Sequence, residues 1–357
     1  MANRGRSLKE AKAEKAAKKR RARRRKRAIV MIVEVMTLCI LLGIGFVLTK
    51  LGKMQKYVLD DGGAKINEGA GHEDYITIAL FGGDSREGQL DAGTHADTII
   101  IVSIDDKTKD VRMASIYRDT LVEDTDGEMR KANSAYFLGG PVQAIEMLNK
   151  NFDLDIQHFV TVDFKALADA IDLLGGIEID VSDDEASEVM RYIGETATVV
   201  GKKAVSVKGG LQTLDGVQAV TYARIRKNVG GDYARTERQR LVIQKIVEKV
   251  KQEDIVTINS ILDQILPQVM TSVVDNGEIY EMAKGAGQYN IVETKGFPFE
   301  HRDDSVEGVG SVVTPVDLVK NVEDLHAFLY PNDDYHMTQK VKDIAVKIET
   351  TTGGAQE

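Results

Sequence analysis

The hydrophobic positions of this 357-residue chain fall into one long apolar run followed by many short ones. Residues 28–48 are almost wholly apolar, with Glu34 their only charge. At 1.5 Å per residue such a helix spans about the 30 Å of a bilayer's hydrocarbon core. The run is too long for the apolar part of a cleaved leader, so an uncleaved signal-anchor is expected. Further on, 75–81, 98–104 and 111–116 are rich in Ile, Val and Thr and predict three buried strands. The polar stretch 105–110 reads as a hairpin turn between the last two. Val142, Ile145 and Leu148 predict a helix over 141–151 behind a Gly-Gly-Pro start. A strand at 159–162, a helix at 164–174 closed by Gly175-Gly176, and a strand at 177–181 follow. Residues 183–209 are polar without a clear period and read as an excursion or surface loop. Helices are expected at 214–223, 237–250 and 255–270. Val341, Ile344, Ala345 and Ile348 add an amphipathic turn or two before a frayed end. Strands alternating with helices predict an α/β domain, its helices packed on a mixed central sheet.

Charge divides the chain. Residues 1–27 carry fourteen Lys or Arg and two Glu, whereas the remainder has 33 basic against 54 acidic residues. A basic block just before the apolar run places the amino terminus in the cytoplasm and can touch anionic lipid. The acidic body argues against a folded nucleic-acid-binding domain, leaving only the tail for that role. The expected layout is a cytoplasmic tail at 1–27, a transmembrane signal-anchor at 28–49 and a juxtamembrane linker at 50–73. An extracellular domain at 74–330 and a tail at 331–357 complete it. The sole cysteine, Cys39, lies in the apolar run, so thiol and disulfide chemistry are not expected outside the membrane.

Candidate chemistry gathers in two places. In an up-down-up meander, Asp84, Ser85 and Arg86 leave the first strand, Asp97 opens the second and Arg118 leaves the third, all at one sheet edge. Farther on, Arg224, Arg226, Arg235, Arg238 and Arg240 join Lys227 within 222–240, a basic cluster in an acidic body. Thr236 and Gln239 have the spacing of a capping box for the long helix, while Val229-Gly230-Gly231-Asp232 resembles a hinge between two arginine pairs. Planar guanidinium forks suit phosphate oxygens. Paired aspartates without His or Cys suit Mg²⁺, which takes one or two carboxylates plus water and substrate phosphate. No phosphate-binding G-x-x-x-x-G-K-[ST] loop and no G-x-S-x-G elbow occur. Metal-assisted displacement at a phosphate or pyrophosphate is the expected reaction. Outside the cell, where ATP is scarce, a lipid-linked pyrophosphate is the expected donor.

The motifs GGDSR (82–86), ADT (96–98), YRDT (117–120), KANSAY (131–136), DLLGGIEIDV (172–181), LDGVQAVTYARIR (214–226) and GDYARTERQ (231–239) resemble the LytR-CpsA-Psr family of bacterial cell-wall ligases. That resemblance implies an α/β/α sandwich with a mixed central sheet, preceded by a single transmembrane helix, whose apolar interior takes part of a lipid tail. It implies transfer of a glycopolymer phosphate from a polyprenyl-pyrophosphate carrier to peptidoglycan, the polymer being teichoic acid, capsule or another glycan. By motif, Asp84 and Asp97 would hold Mg²⁺, or Mn²⁺ in its place. Arg86, Arg118, Lys131, Arg224, Arg226, Arg235 and Gln239 would contact the pyrophosphate or its supports, and Asp232 would orient arginines or move a proton. His95 stands where many members have an arginine, which lowers the positive charge there, and Tyr117 stands where a proline is common. The alternative expectation is a non-catalytic polyprenyl-phosphate-binding or regulatory membrane protein.

Overall fold

Three consecutive strands, buried on both faces, set the centre of the fold. The computed structural model describes residues 52–59, 63–83, 90–272 and 288–353. Strand β1 is Gln55–Lys56, and the meander follows as β2 (Tyr75–Gly83), β3 (Ala96–Asp105) and β4 (Asp110–Ile116). Successive side chains of a strand point to opposite faces. Ala79, Phe81, Ile99, Ile101, Ala114 and Ile116 therefore enter one core, while Ile78, Ile100, Val102, Ile104, Val111 and Met113 enter another on the opposite face.

The chain continues through β5 (Leu121–Glu123), β6 (Met129–Lys131), α1 (Ala132–Phe152), β7 (His158–Asp163) and α2 (Phe164–Leu173). Next come β8 (Ile177–Val181), α3 (Asp183–Val200), β9 (Gly210–Leu214), α4 (Gly216–Tyr222) and α5 (Gly231–Val250). The last elements are α6 (Ile255–Ile265), β10 (Val269–Thr271), β11 (Asn290–Phe297), β12 (His301–Val306), β13 (Gly310–Pro315), α7 (Leu318–Leu329) and α8 (Gln339–Thr351). The central sheet is mixed, in the order β1-β10-β7-β2-β3-β4-β11. Parallel pairs join β1 to β10, β2 to β7 and β4 to β11, and its other neighbours are antiparallel. Helices α1, α7 and α8 cover one face, and Ile243 of α5 packs on the other. A third core, built from α2, α3, α4 and the β8–β9 pair, has its own apolar interior.

The three meander strands and the hairpin turn lie where the pattern predicts them. Elsewhere the structure corrects it. Residues 183–200 are a helix, not a loop: Ala186, Val189, Ile193, Ala197 and Val200 bury one face, and a Ser182/Glu185 capping box starts it. The expected helix at 255–270 stops at Ile265, and Val269–Thr271 joins the sheet as β10. The strand at 177–181 forms, but it pairs with β9 outside the central sheet. Helix α1 begins nine residues before Pro141, interrupted at Gly139 and Gly140. Gly140 has φ 70°, a conformation few side chains adopt, and Pro141 restarts the helix after it. The predicted Thr236/Gln239 cap is also overturned. Helix α5 starts at Gly231, so Thr236 lies inside it and its hydroxyl donates to the Tyr233 carbonyl.

Helix α8 is tied to the core by charge as well as by Val341, Ile344 and Ile348. The Glu123 carboxylate meets Lys150 of α1 at 2.7 Å and Lys340 and Lys347 of α8 at 2.9 and 3.2 Å. Burial alone would raise its pKa, but these three lysines bring it down to about 2. A depressed carboxyl stabilises the fold above its unfolded pKa of about 4.3 and loses that contribution as pH falls toward the folded value. Glu123→Gln is expected to cost about 2 kcal/mol at neutral pH, screening of the half-exposed lysines keeping it below a fully buried pair. Thermal unfolding of both proteins from pH 7 down to 2 checks this, and the gap should narrow below about pH 4 and close as pH approaches the folded pKa of about 2.

Candidate active site

The site lies where β2, β3 and β4 end against the α2–α4 core. Gly83, the last described residue of β2, pairs with Ala96. Asp84, Ser85 and Arg86 fall outside the described residues. Asp97 is the second residue of β3, its side chain 25% exposed, and Arg118 follows β4 so closely that its Nη1 donates to Asp97 Oδ1 at 2.7 Å. Arg118 Nε also faces Asp119 at 3.5 Å and Asp232 at 3.7 Å, so one guanidinium lies among three carboxylates. Burial works against its charge, yet those carboxylates raise its pKa further. For Asp97, burial pushes upward and is outweighed by Arg118, Arg235 and Arg226, which hold the carboxyl below its usual range.

Asp232 is the hub on the helical side. In the first turn of α5, it faces Arg235 at 3.2 Å and Arg226 at 3.6 Å, besides Arg118. Arg235 is almost fully buried, donates to the Asp97 carbonyl at 3.3 Å, and has no hydrogen-bond partner for Nε among the described residues. Burial, helped by the neighbouring Arg118 and Arg226, lowers it to about 10 in spite of Asp232 and Asp97, so it stays cationic at neutral pH. Two glycines with positive φ, Gly230 (88°) and Gly231 (69°), turn the chain into α5 here. Arg224 stacks over the Phe164 ring at 4.5 Å, donates to Thr196 and meets Glu195 at 3.6 Å.

These side chains surround a cavity of about 520 Å³. Asp97, Arg224, Arg226, Lys227, Arg235 and Gln239 line it, with Tyr192, Glu195 and Thr196 from α3 opposite. Four cationic side chains face two acidic ones, so the cavity favours an anion. A second cavity of about 270 Å³ adjoins it, sharing Phe164, Arg224 and Gln239. Its walls are apolar, among them Leu80, Ile100, Val160, Leu167, Val220 and Val242. It runs beneath the sheet from Thr98 to Ile100, and Gln239 of α5 stands between the wet and dry chambers.

The structure thus gathers Asp97, Arg224, Arg226, Arg235 and Gln239 around one space, with Arg118 and Asp232 in the ion network behind it. Lys131 does not line that space. Its ammonium meets Asp119 at 3.1 Å and reaches Arg118 only through that carboxylate. Exposed His95 stacks on Phe137 at 4.4 Å. Tyr117 packs edge-on to Tyr233. Asp119 and the α3 residues were not marked by sequence reasoning. A Ser-x-x-Glu pattern at 182–185 was the available signal for α3. Arg238 was visible only as charge. It is buried, and it donates to the Ile225 and Val229 carbonyls at 2.6 and 3.0 Å, fastening the turn that carries Arg224 and Arg226 to α5.

One Asp97 oxygen is held by Arg118, and among the described residues no group of three or more His, Cys, Asp or Glu could hold a metal ion. Asp97 offers a hard carboxylate oxygen of the kind Mg²⁺ takes, and Asp84, its expected partner, lies outside the described residues.

Comparison with known proteins bears on the family and the fold. The LytR_cpsA_psr family model matches residues 47–324. A curated relative, the polyisoprenyl-teichoic acid–peptidoglycan teichoic acid transferase TagV of Bacillus subtilis, is 32% identical over 208 residues, 57% of this chain and 48% of the relative. The chain spans about half the length of the first curated relatives it matches. Among solved structures, protein gbs0355 of Streptococcus agalactiae superposes with a TM-score of 0.63 at 23% identity, covering 74% of this chain and 91% of that one. TagT bound to LIIa-WTA superposes at 0.57 and 19% identity, covering 83% and 99%. With most of its length matched and this mixed-sheet fold shared, the chain belongs to the LytR-CpsA-Psr family.

Proposed function

We propose that the protein is a membrane-anchored phosphotransferase that moves a glycopolymer phosphate from a polyprenyl-pyrophosphate carrier to peptidoglycan. The observation that carries this is the junction of the two cavities. A cation-rich chamber suited to a diphosphate shares Phe164, Arg224 and Gln239 with an adjoining apolar one suited to a prenyl chain. We read the domain as an α/β/α sandwich holding the lipid inside, tethered by a helix at 28–48. Among the described residues no helix is long and apolar enough to cross a membrane, and 28–48 lies outside them.

In this mechanism Arg224, Arg226 and Arg235 bind the diphosphate oxygens and stabilise the charge that builds on them as the phosphoryl group transfers. Arg118 holds the Asp97 carboxylate at the chamber rim and keeps Asp97 and Asp232 from repelling one another. Asp232 orients Arg118, Arg226 and Arg235 and receives the proton of the acceptor hydroxyl. That hydroxyl oxygen bonds to the glycan-bearing phosphorus. The phosphorus–oxygen bond to the bridging oxygen breaks, and its electron pair leaves on polyprenyl monophosphate. Asp97, with Asp84, would hold Mg²⁺ or Mn²⁺, which when bound draws charge from the phosphate oxygens.

The test is release of polyprenyl monophosphate from a lipid-linked glycan diphosphate by the full chain in detergent. Chelation should lower the rate by about 100-fold or more, Mg²⁺ or Mn²⁺ should restore it, and folded Asp97→Ala should stay inactive after restoration. Donor binding without release under every metal condition would instead favour a lipid-binding regulator.

A further inference from the structure

Asp97, Arg118, Asp119 and Lys131 form a row of alternating charge: 2.7 Å from Asp97 to Arg118, 3.5 Å on to Asp119, and 3.1 Å on to Lys131. One end opens into the arginine chamber. The other opens into a separate groove of about 590 Å³, where Lys131 stands with Arg130, Ser134, Glu307, Gly308 and Lys347. This groove differs from both donor cavities. It is too polar for a prenyl chain. Its cations are already matched by carboxylates, Arg130 by Asp124 and Asp126 at 3.0 and 2.7 Å and Lys347 by Glu123 at 3.2 Å, so a diphosphate gains little there. Paired amines, carboxylates and a hydroxyl along an open trough are what a neutral or zwitterionic sugar chain can hydrogen-bond.

We propose that this groove is the acceptor subsite, holding the glycan strand whose hydroxyl attacks the donor phosphate. The assignment rests on the transferase reading and adds the direction of approach. A displacement at phosphorus places the entering and leaving oxygens roughly in line. The prenyl side of the donor lies along β3 toward Ile100, beyond Asp97. Entry from the Lys131 end therefore brings the acceptor to the side of the row away from the lipid. Arg118, whose buried Nε has no hydrogen-bond partner among the described residues, stands in that row between Asp97 and Asp119. The bonds made and broken are those given above, with the acceptor proton passing to Asp232.

Glu307 and Glu128 are exposed turn residues on the groove walls, outside the machinery assigned to catalysis. Glu307→Trp and Glu128→Trp would each place a ring across the trough, with Glu307→Ala as the size control. With the full chain, a short-chain polyprenyl diphosphate glycoside as donor and a soluble peptidoglycan tetrasaccharide as acceptor, the Trp variants should raise the acceptor KM by about tenfold or more. Donor hydrolysis without acceptor should stay within about twofold of the unaltered protein, and Glu307→Ala should keep the normal KM. Unchanged acceptor KM in both Trp variants, with hydrolysis intact, would overturn the groove assignment and leave the transferase reading standing. Absence of both hydrolysis and transfer in the unaltered protein would overturn the two together.

Discussion

Arg118→Ala is expected to lower both donor hydrolysis and transfer by about 10²-fold, the scale of misplacing groups that position the reacting phosphate. The expectation follows from its neighbours. Asp97, Asp119 and Asp232 all lie within 3.7 Å of this one guanidinium, which is 19% exposed. Without it, three carboxylates face one another and the arginine chamber, and Asp97 loses the partner that positions it. Removing one member of such a network should also cost about 3 kcal/mol of stability. Arg118→Lys restores a charge but not a fork able to reach several carboxylates, so it should recover stability better than rate. Unfolding curves and hydrolysis rates at saturating Mg²⁺ on the same preparations separate the two effects. Near-normal turnover in a folded Arg118→Ala protein would remove Arg118 from the mechanism.

Filling the apolar chamber should be nearly as damaging, and selectively so. Ala223 lines it and is buried. Ala223→Phe would put a benzyl ring into about 270 Å³ of space and exclude three or four methylenes of a prenyl chain. At about 0.8 kcal/mol per methylene that is roughly 3 kcal/mol, or about 100-fold in affinity for a long-chain donor. A donor with a very short lipid should lose far less, because its diphosphate still meets Arg224, Arg226 and Arg235. Competition between donors of two chain lengths reads the difference directly. Equal weakening of both would mean that the ring had disturbed the arginines instead of the lipid path.

The meander was legible because Ile, Val and Thr concentrate in three short runs split by polar stretches, and Asp97 and Arg118 stand at the ends of those runs. The arginines of 224–235 were legible as charge out of place in an acidic body. What could not be read has a common physical origin. Helix α3 spreads Ala186, Val189, Ile193, Ala197 and Val200 among acids and threonines, some of them buried too, so its period was hidden. Its Tyr192, Glu195 and Thr196 were lost with it. The Thr236–Gln239 spacing suggested a cap because a sequence does not reveal where a helix begins when the N-cap is Gly230, which offers no side chain. The apolar chamber draws one to three residues from each of several elements, so no single stretch advertises it. Asp119 lay within a recognised motif but gains its meaning only from Lys131 and Arg118, which meet it in space.

The α2–α4 layer has an interior of its own, and the chambers open along the seam between it and the central sheet. A donor bound there would act as a bolt through two separately built layers. Occupancy should therefore be readable as heat resistance and slowed amide exchange on both sides of the seam at once, by about 2.7 kcal/mol when ligand is present at a hundred times its dissociation constant.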